Sequence, residues 1–379
     1  MPRPFGVYVH FPYCAHHCPY CDFAVTTDAL PGERRYARAI LAELALRAAA
    51  FDGLSPASVY LGGGTPSLWD PDEVGEVLGA IRARFRVPAD AEVTIEVNPE
   101  SCDPTRLRAL RAAGVNRVSV GAQSFDPGVL AKLGRRHGPE AAERAIRVAA
   151  DVIGNVSVDL IFGARRSTVE IARADAARAV AAGAVHVSAY QLTLDAEVLA
   201  LEVPLARMRR EGRLPLPSDE DAARQGAAIR GALRRAGLRR YEISNFARPG
   251  RESVHNRLYW EGESYLGLGA GAYGCLRAAE GALRYGNVRD ARTYMDAALG
   301  GRDATSEEDR IDPRGQRNEQ LMLALRTVRG AELGRLSPDQ AREAAEAVRR
   351  RLAVRRGGRL VLTSRGMDLH SALSERLFE

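Results

Sequence analysis

Short apolar segments with strand character alternate with longer segments of helical periodicity along the N-terminal half of the chain. The predicted strands are 6–10, 58–61, 93–97, 117–120, 156–162 and 185–190. The predicted helices between them are 33–50, 72–85, 105–113, 139–152 and 169–182. This βα repeat predicts an α/β fold with a parallel sheet and right-handed crossovers. A closed barrel would need eight such units, so the pattern fits either an open partial barrel or a doubly wound sheet.

The remainder of the chain has a different character. One more helix is predicted at 219–236, and residues 241–301, rich in Gly, Asn and aromatic residues, are predicted to be irregular. Helices at 314–327 and from Ser337 precede a Gly357-Gly358 hairpin signal, which predicts a smaller C-terminal α+β domain of winged-helix type. The predicted domains are a core at 1–240, a connecting cap region at 241–305 and a C-terminal domain at 306–379.

Composition narrows the class of protein. The 379 residues are 46% hydrophobic and 27% charged, which is typical of a soluble globular protein. Neither a membrane-length apolar segment nor a secretory signal is recognisable, so we expect a cytoplasmic protein with reduced thiols. The net charge of +6 is compatible with an anionic ligand or a peripheral contact with lipid headgroups. The basic segment 349–351 would suit DNA binding, but we favour a structural cap and expect no nucleic acid.

Three cysteines follow the first predicted strand. Cys14, Cys18 and Cys21 have the spacing C-x3-C-x2-C. Three thiolates can ligate three irons of a [4Fe–4S] cluster, leaving the fourth iron open for chemistry. The alternative is a tetrahedral zinc site that adds one histidine from a set of three: His10, His16 and His17.

Further candidate residues lie at the carboxyl ends of the next strands, where function sits in both architectures. The segment Gly62–Pro66 carries consecutive glycines, which allow close backbone approach to a ligand but suit a tight turn equally well. Glu96 lies at the end of the third predicted strand and Gln123 just after the fourth, and either could instead cap a helix or hydrogen-bond within a loop.

In combination these segments resemble the coproporphyrinogen dehydrogenase-like family of radical S-adenosylmethionine (SAM) proteins, and within it the heme-chaperone type. The matching segments are 8–23, 62–66, 96–99, 121–124, 133–137, 159–163, 241–246 and 255–260. The resemblance favours the open (β/α)6 partial TIM barrel. It implies that SAM binds the open iron and that one electron from the cluster releases a 5′-deoxyadenosyl radical, which requires a one-electron reductant.

The resemblance also implies roles for individual residues. Cys14, Cys18 and Cys21 would ligate the cluster, and His255 would bind heme. The residues implied to line the SAM site are Tyr8, Gly63, Gly64, Thr65, Glu96, Gln123, Arg135 and Asp159. An Arg suits the SAM carboxylate, whereas Glu, Gln and Asp can accept hydrogen bonds from its hydroxyls or amine.

Two functions are consistent with the resemblance. The first is a heme chaperone that binds heme and delivers it to a recipient hemoprotein. The alternative is an oxygen-independent coproporphyrinogen III oxidase, but those enzymes carry a further cysteine where this chain has Phe23. Two departures from the family pattern lie near the expected substrate region: Ala164-Arg165 replaces a Leu-Pro pair, and Tyr273 replaces a histidine.

Overall fold

The computed structural model describes residues 2–30, 34–195, 199 and 201–378. Its strands are β1 (Pro4–Phe11), β2 (Ser55–Gly63), β3 (Glu92–Val97), β4 (Arg117–Gln123), β5 (Val156–Phe162), β6 (His186–Gln191), β7 (Arg239–Arg240), β8 (Asn245–Ala247), β9 (Ser264–Leu268), β10 (Tyr273–Ala278), β11 (Gly281–Asn287), β12 (Thr305–Ile311), β13 (Ala331–Glu332), β14 (Ala353–Arg356) and β15 (Arg359–Leu362). Its α-helices are α1 (Arg35–Arg47), α2 (Pro71–Phe85), α3 (Pro104–Ala113), α4 (Pro127–Lys132), α5 (Pro139–Val152), α6 (Val169–Ala181), α7 (Pro204–Arg210), α8 (Asp219–Arg235), α9 (Val254–Trp260), α10 (Ala291–Leu299), α11 (Pro313–Leu325), α12 (Pro338–Arg349), α13 (Ser364–Asp368) and α14 (His370–Leu377).

The first six strands lie in the large sheet in chain order. That sheet has twelve strands in the order β12-β11-β10-β9-β1-β2-β3-β4-β5-β6-β8-β7. From β1 to β6 each right-handed crossover adds the next strand on the same side of the previous one, so the helices lie on one face of the sheet. In a doubly wound sheet the strand order would reverse and place helices on both faces. Within the described residues the edge strands β12 and β7 pair with different neighbours and leave the barrel open. The prediction of an open partial barrel is confirmed.

Local signals explain why the predicted core elements form. Asp70 and Asp103 cap the first turns of α2 and α3 with their carboxylates, and Gly114, with φ of 110°, ends α3. The predicted helix 139–152 and strand 156–162 have the same bounds in the structure as α5 and β5. Glu33, where the first helix was predicted to begin, lies outside the described residues.

The prediction that residues 241–301 are irregular is wrong. Strand β9 pairs parallel to β1, and β10, β11 and β12 extend the sheet in antiparallel fashion. The glycines here allow close packing: a Cβ on Gly267 would lie 2.0 Å from the Tyr273 carbonyl oxygen, and one on Gly274 would lie 2.2 Å from Tyr285 Cζ. The predicted boundary between residues 305 and 306 falls inside β12, so the large sheet extends past it.

The two faces of the barrel strands differ in polarity. Side chains that face the helices, such as Val7, Val9 and Leu61, form the main hydrophobic core. The alternate side chains face the barrel interior and are polar, as at Glu96, Ser119 and Asp159. Because the interior side chains are polar and line a cavity, the interior can bind a ligand and is not a packed hydrophobic core.

The C-terminal domain has its own hydrophobic cluster, which includes Leu325, Ala344 and Leu360. Strands β13, β15 and β14 form a separate three-stranded sheet. The predicted hairpin is confirmed: Gly357 and Gly358 have φ of 54° and 74°, as a two-residue turn with left-handed backbone requires. Within the described residues, no helix is both long enough and apolar enough to span a membrane.

Candidate functional site

A cavity of about 450 Å³ opens at the carboxyl ends of the barrel strands. Most of the residues selected from the sequence line it: Cys14, Cys18, Cys21, Gly63, Gly64, Thr65, Glu96, Gln123, Arg135 and Asp159. Tyr8 and His255 are not among the residues that line this cavity. The topology therefore brings together residues that are up to 145 positions apart, from Cys14 to Asp159.

The cysteine loop leaves β1 and folds back on itself. The Cys14 N–H donates to the Thr26 carbonyl at 2.9 Å, and the Thr26 N–H donates to the Pro12 carbonyl at 2.8 Å. The Cys21 N–H donates to the Cys18 carbonyl at 3.1 Å, which closes a turn between the second and third cysteines. These bonds hold all three thiols, which are partly exposed, at the cavity wall.

The glycine-rich segment after β2 packs directly against the cysteine loop. The Gly64 N–H donates to the Phe11 carbonyl at 2.7 Å, and the Thr65 N–H donates to the Tyr13 carbonyl at 2.9 Å. A Cβ on Gly64 would lie 2.7 Å from the Tyr13 oxygen and 3.0 Å from Cys14 Sγ. Glycine is therefore needed here for close approach to the first cysteine, in addition to any contact with a ligand.

The donor set fits an iron–sulfur cluster better than one zinc ion. Among the described residues, no three His, Cys, Asp or Glu side chains converge closely enough to hold a single metal ion. A cubane instead distributes three thiolates over three irons. Burial raises the pKa of the Cys14 thiol and raises that of Cys21 to about 12. A bound metal cation would therefore be needed to stabilise these groups as thiolates.

Two carboxylates line the cavity beneath the cysteine loop. Glu96 accepts hydrogen bonds from the Tyr60 hydroxyl at 2.9 Å and from the Gly63 N–H at 3.1 Å. Burial, and then the nearby Asp159 carboxylate, raise the pKa of Glu96 to about 7. Asp159 accepts from the Ser119 hydroxyl at 3.0 Å, and burial raises its pKa as well. The pair can accept hydrogen bonds from a polar ligand, and Glu96 can hold a proton near neutral pH.

Strand β4 ends in a strained turn beside the cavity. Gln123 has φ of 64°, in the left-handed region that is unusual for a residue other than glycine. A Cβ on Gly121 would lie 3.0 Å from Gln123 Nε2, so the amide lies over this glycine. Arg135 Nη2 donates to the Gly121 carbonyl at 3.1 Å, which fixes the guanidinium at the same strand end.

Tyr8, on β1, is linked to the cysteine loop by hydrogen bonds through His10. Its hydroxyl lies 3.0 Å from His10 Nδ1, and His10 Nε2 lies 2.8 Å from the Ala24 carbonyl oxygen. Because a carbonyl can only accept, His10 carries its proton on Nε2 and accepts from Tyr8 at Nδ1. Burial lowers the pKa of His10 to about 4, so the ring is neutral. The Tyr8–His10–Ala24 chain joins β1 to the cysteine loop.

His255 lies beneath the barrel, at the start of α9. Its ring is buried, with Nδ1 2.8 Å from the Ser58 hydroxyl and Nε2 3.1 Å from the Tyr259 hydroxyl. The ring lies 5.0 Å from that of Tyr60, and burial lowers the pKa of His255 to about 3. Both ring nitrogens are occupied in this conformation, so coordination of heme iron by His255 would require one of these contacts to break.

The two departures from the family pattern, Ala164-Arg165 and Tyr273, are not among the residues that line the cavity. Tyr273 is in the antiparallel extension, where its hydroxyl donates to Glu307 at 2.8 Å. Ala164 is buried against Val129 and Leu133. Phe23, where the resemblance implies a further cysteine in the decarboxylating enzymes, is 56% exposed and lines the cavity.

A second cavity, of about 1250 Å³, lies between α9, α11 and the C-terminal domain, and the sequence did not indicate it. Its lining combines Trp260, Leu321 and Gly334 with Arg317 and other charged side chains. No acceptor among the described residues lies within hydrogen-bond reach of the buried Trp260 indole nitrogen. This cavity is larger than the one at the strand ends.

Comparison with known proteins agrees with this architecture. The sequence profile of the Radical SAM superfamily matches residues 8–175, which span the cysteine loop and the strand ends described above. The chain thus has the radical SAM domain. Coproporphyrinogen III oxidase (HemN) from Escherichia coli has the same fold, with a TM-score of 0.79 over 99% of this chain and 90% of that one, at 20% identity.

Closer relatives define the family. The heme chaperone HemW of Mycobacterium tuberculosis is 39% identical over 99% of this chain and 95% of its own length. HemW of Escherichia coli is 36% identical over 77% of this chain and 76% of its own. The chain belongs to the HemW family of radical SAM proteins.

Proposed function

We propose that this protein is a heme chaperone that holds a [4Fe–4S] cluster, binds SAM and delivers heme to a recipient hemoprotein. The observation that carries the proposal is the cavity in which Cys14, Cys18 and Cys21 share a wall with Glu96 and Arg135. Relatives of nearly the same length are named heme chaperones, which supports the heme part. We further propose a cytoplasmic location and a one-electron reductant as a second partner.

The cavity residues divide into groups that suit different parts of SAM. Arg135 offers a guanidinium for the carboxylate, and Glu96 and Asp159 offer acceptors for the amine and ribose hydroxyls. Gly63 and Gly64 let their segment pack against His10 and the cysteine loop, because a Cβ would lie 2.7 Å from the His10 ring at Gly63 and 2.7 Å from the Tyr13 oxygen at Gly64. A bound cluster would supply single electrons, and the protein would contribute orientation and exclusion of water.

The alternative function is oxidative decarboxylation of coproporphyrinogen III. The fold shared with HemN is compatible with it, but a likeness at 20% identity shows the fold alone. Phe23 stands where the decarboxylating enzymes would place a further cysteine. We therefore favour the chaperone.

Two places in the molecule are candidates for heme. His255 is an imidazole in the family's heme-associated segment, but its ring is buried and both nitrogens are engaged. The second cavity is larger and is lined by Trp260 and Arg317. Arg317 suits a propionate, and because the Arg326 guanidinium covers one face of the Trp260 ring at 4.2 Å, a porphyrin would stack on the opposite face. The experiment below distinguishes the two.

The test is an anaerobic heme titration of the reconstituted full-length protein, followed by the Soret band. His255→Ala removes the imidazole, and Gly334→Trp places a bulky side chain on the lining of the second cavity, at an exposed position where a Cβ meets no atom within 4 Å. Saturable one-site binding by the wild type supports the chaperone, and the variant that loses binding identifies the place. Absence of specific binding by the wild type, with turnover of coproporphyrinogen III, would overturn the proposal.

A further inference from the structure

A continuous chain of hydrogen bonds joins two of the three cysteine thiols through Asn98. The Thr65 hydroxyl lies 3.5 Å from Cys14 Sγ, and Asn98 Nδ2 lies 2.9 Å from Thr65 Oγ1. On the other side, Arg135 Nη2 lies 2.9 Å from Asn98 Oδ1, and Arg135 Nη1 lies 3.6 Å from Cys18 Sγ. Asn98 follows β3 and lines the cavity, yet the sequence assigned it no role.

The donors and acceptors in this chain follow one consistent direction. The Asn98 amide donates to the Thr65 oxygen, which leaves the Thr65 proton to point at Cys14 Sγ. The Asn98 carbonyl oxygen accepts from one Arg135 nitrogen, which turns the other toward Cys18 Sγ. A side chain with both a donor and an acceptor is needed at this position, and an amide is the group that supplies the two from one plane.

The surroundings keep Asn98 and Arg135 in place. The main-chain carbonyl oxygen of Asn98, as distinct from its side-chain oxygen, accepts hydrogen bonds from the Ser101 N–H and from the Ser101 hydroxyl, both at 3.0 Å. Arg135 is also bound to the Gly121 carbonyl. Within the described residues, the buried Arg135 Nε has no hydrogen-bond partner, which leaves a donor for a ligand in the cavity. Backbone contacts therefore hold Asn98 and Arg135 in place, while the Arg135 Nε remains available to a ligand in the cavity.

We propose that Asn98 is a positioning residue that orients the hydrogen bonds to Cys14 and Cys18 and thereby sets the reduction potential of the cluster. The inference rests on the proposed cluster. One-electron reduction adds negative charge to the cluster and its sulfurs, and hydrogen-bond donors aimed at sulfur stabilise that charge. Loss of Asn98 leaves Thr65 and Arg135 free to turn away, so the reduced state becomes less favourable.

The test is a redox titration of the reconstituted protein, with the reduced cluster followed by electron paramagnetic resonance. Asn98→Ala is expected to lower the equilibrium constant for reduction about tenfold, which corresponds to about 59 mV for one electron. Thr65→Val is expected to shift the potential in the same direction, and Thr65→Ser, which retains the hydroxyl, to keep the wild-type value. Asn155→Ala at the amino end of β5, far from the cysteine loop, is the matched control and should leave the potential unchanged.

The outcomes separate this inference from the proposed function. If Asn98→Ala binds as much iron as the wild type and has the same potential, Asn98 has no such role. If Asn98→Ala binds too little iron, Asn98→Leu serves instead: it keeps the size of the side chain, removes the hydrogen bonds to Thr65 and Arg135, and adds no charge that would itself lower the potential. An Asn98→Leu potential equal to that of the wild type would again refute the inference. A wild-type protein that assembles no cluster would refute the proposed function itself.

Discussion

Substitution of Gly64 by alanine tests the contact between the glycine-rich segment and the cysteine loop. The added Cβ would lie 2.7 Å from the Tyr13 carbonyl oxygen, 2.9 Å from the Pro12 carbonyl carbon and 3.0 Å from Cys14 Sγ. Two of these atoms belong to the backbone, so relief of the overlap requires a loop to move. We expect a loss of about 1–3 kcal/mol in the free energy of unfolding, the usual range for overpacking.

The assay combines urea unfolding of the cluster-free protein with the iron content after reconstitution. For a slope of about 3 kcal/mol per molar urea, the expected loss lowers the midpoint by roughly 0.3–1 M. Displacement of Cys14 should also reduce iron uptake. The matched control is Gly79→Ala, at an exposed position within α2 where a Cβ meets no atom within 4 Å; it should stabilise the protein by about 0.5–1 kcal/mol. Wild-type midpoint and iron content in Gly64→Ala would refute the steric argument.

Three further predictions concern other groups of the site and its support. Cys18→Ser should abolish the iron–sulfur absorbance, whereas Cys102→Ser should retain it; an intact cluster in Cys18→Ser would contradict the ligand assignment. The folded-state pKa of Glu96 is raised from 4.5 to about 7, so its contribution to stability is full below pH 4.5 and is lost as the pH rises through 7. In cluster-free protein this loss should be about 3–4 kcal/mol, and Glu96→Gln should flatten that part of the stability–pH curve; an unchanged slope would refute the assignment. Glu43→Ala should lower the free energy of unfolding by about 3–5 kcal/mol in urea denaturation, because it leaves buried hydrogen-bond donors without their acceptor. A loss below about 1 kcal/mol would show that those donors find other partners. The donors that Glu43 now accepts from are Arg47, Gly269, Asn287 and Tyr294.

Much of the candidate site could be predicted because its residues occupy strand ends. Cys14 and Glu96 were selected from local patterns and Asp159 from the family resemblance, and the parallel order of β1, β3 and β5 brings them to one cavity. Asn98 lies in the matching segment 96–99 but was assigned no role, because its hydrogen bonds depend on two partners that come from different loops. The orientation of His255 likewise depends on Ser58, almost two hundred residues earlier in the chain.

The sequence by itself determined the elements of the core and the cysteine loop, because periodicity, caps and ligand spacing act over a few residues. It did not determine that the glycine-rich region 241–301 continues the sheet, since β9 is stabilised by pairing with β1 and by glycines that admit neighbouring tyrosines. Tertiary structure alone decided which side chains face the cavity, which lie at the opposite end of the barrel as His255 does, and which are hydrogen-bonded to distant residues. The physical reason is that these properties arise from contacts between segments distant in the chain, which no local pattern encodes.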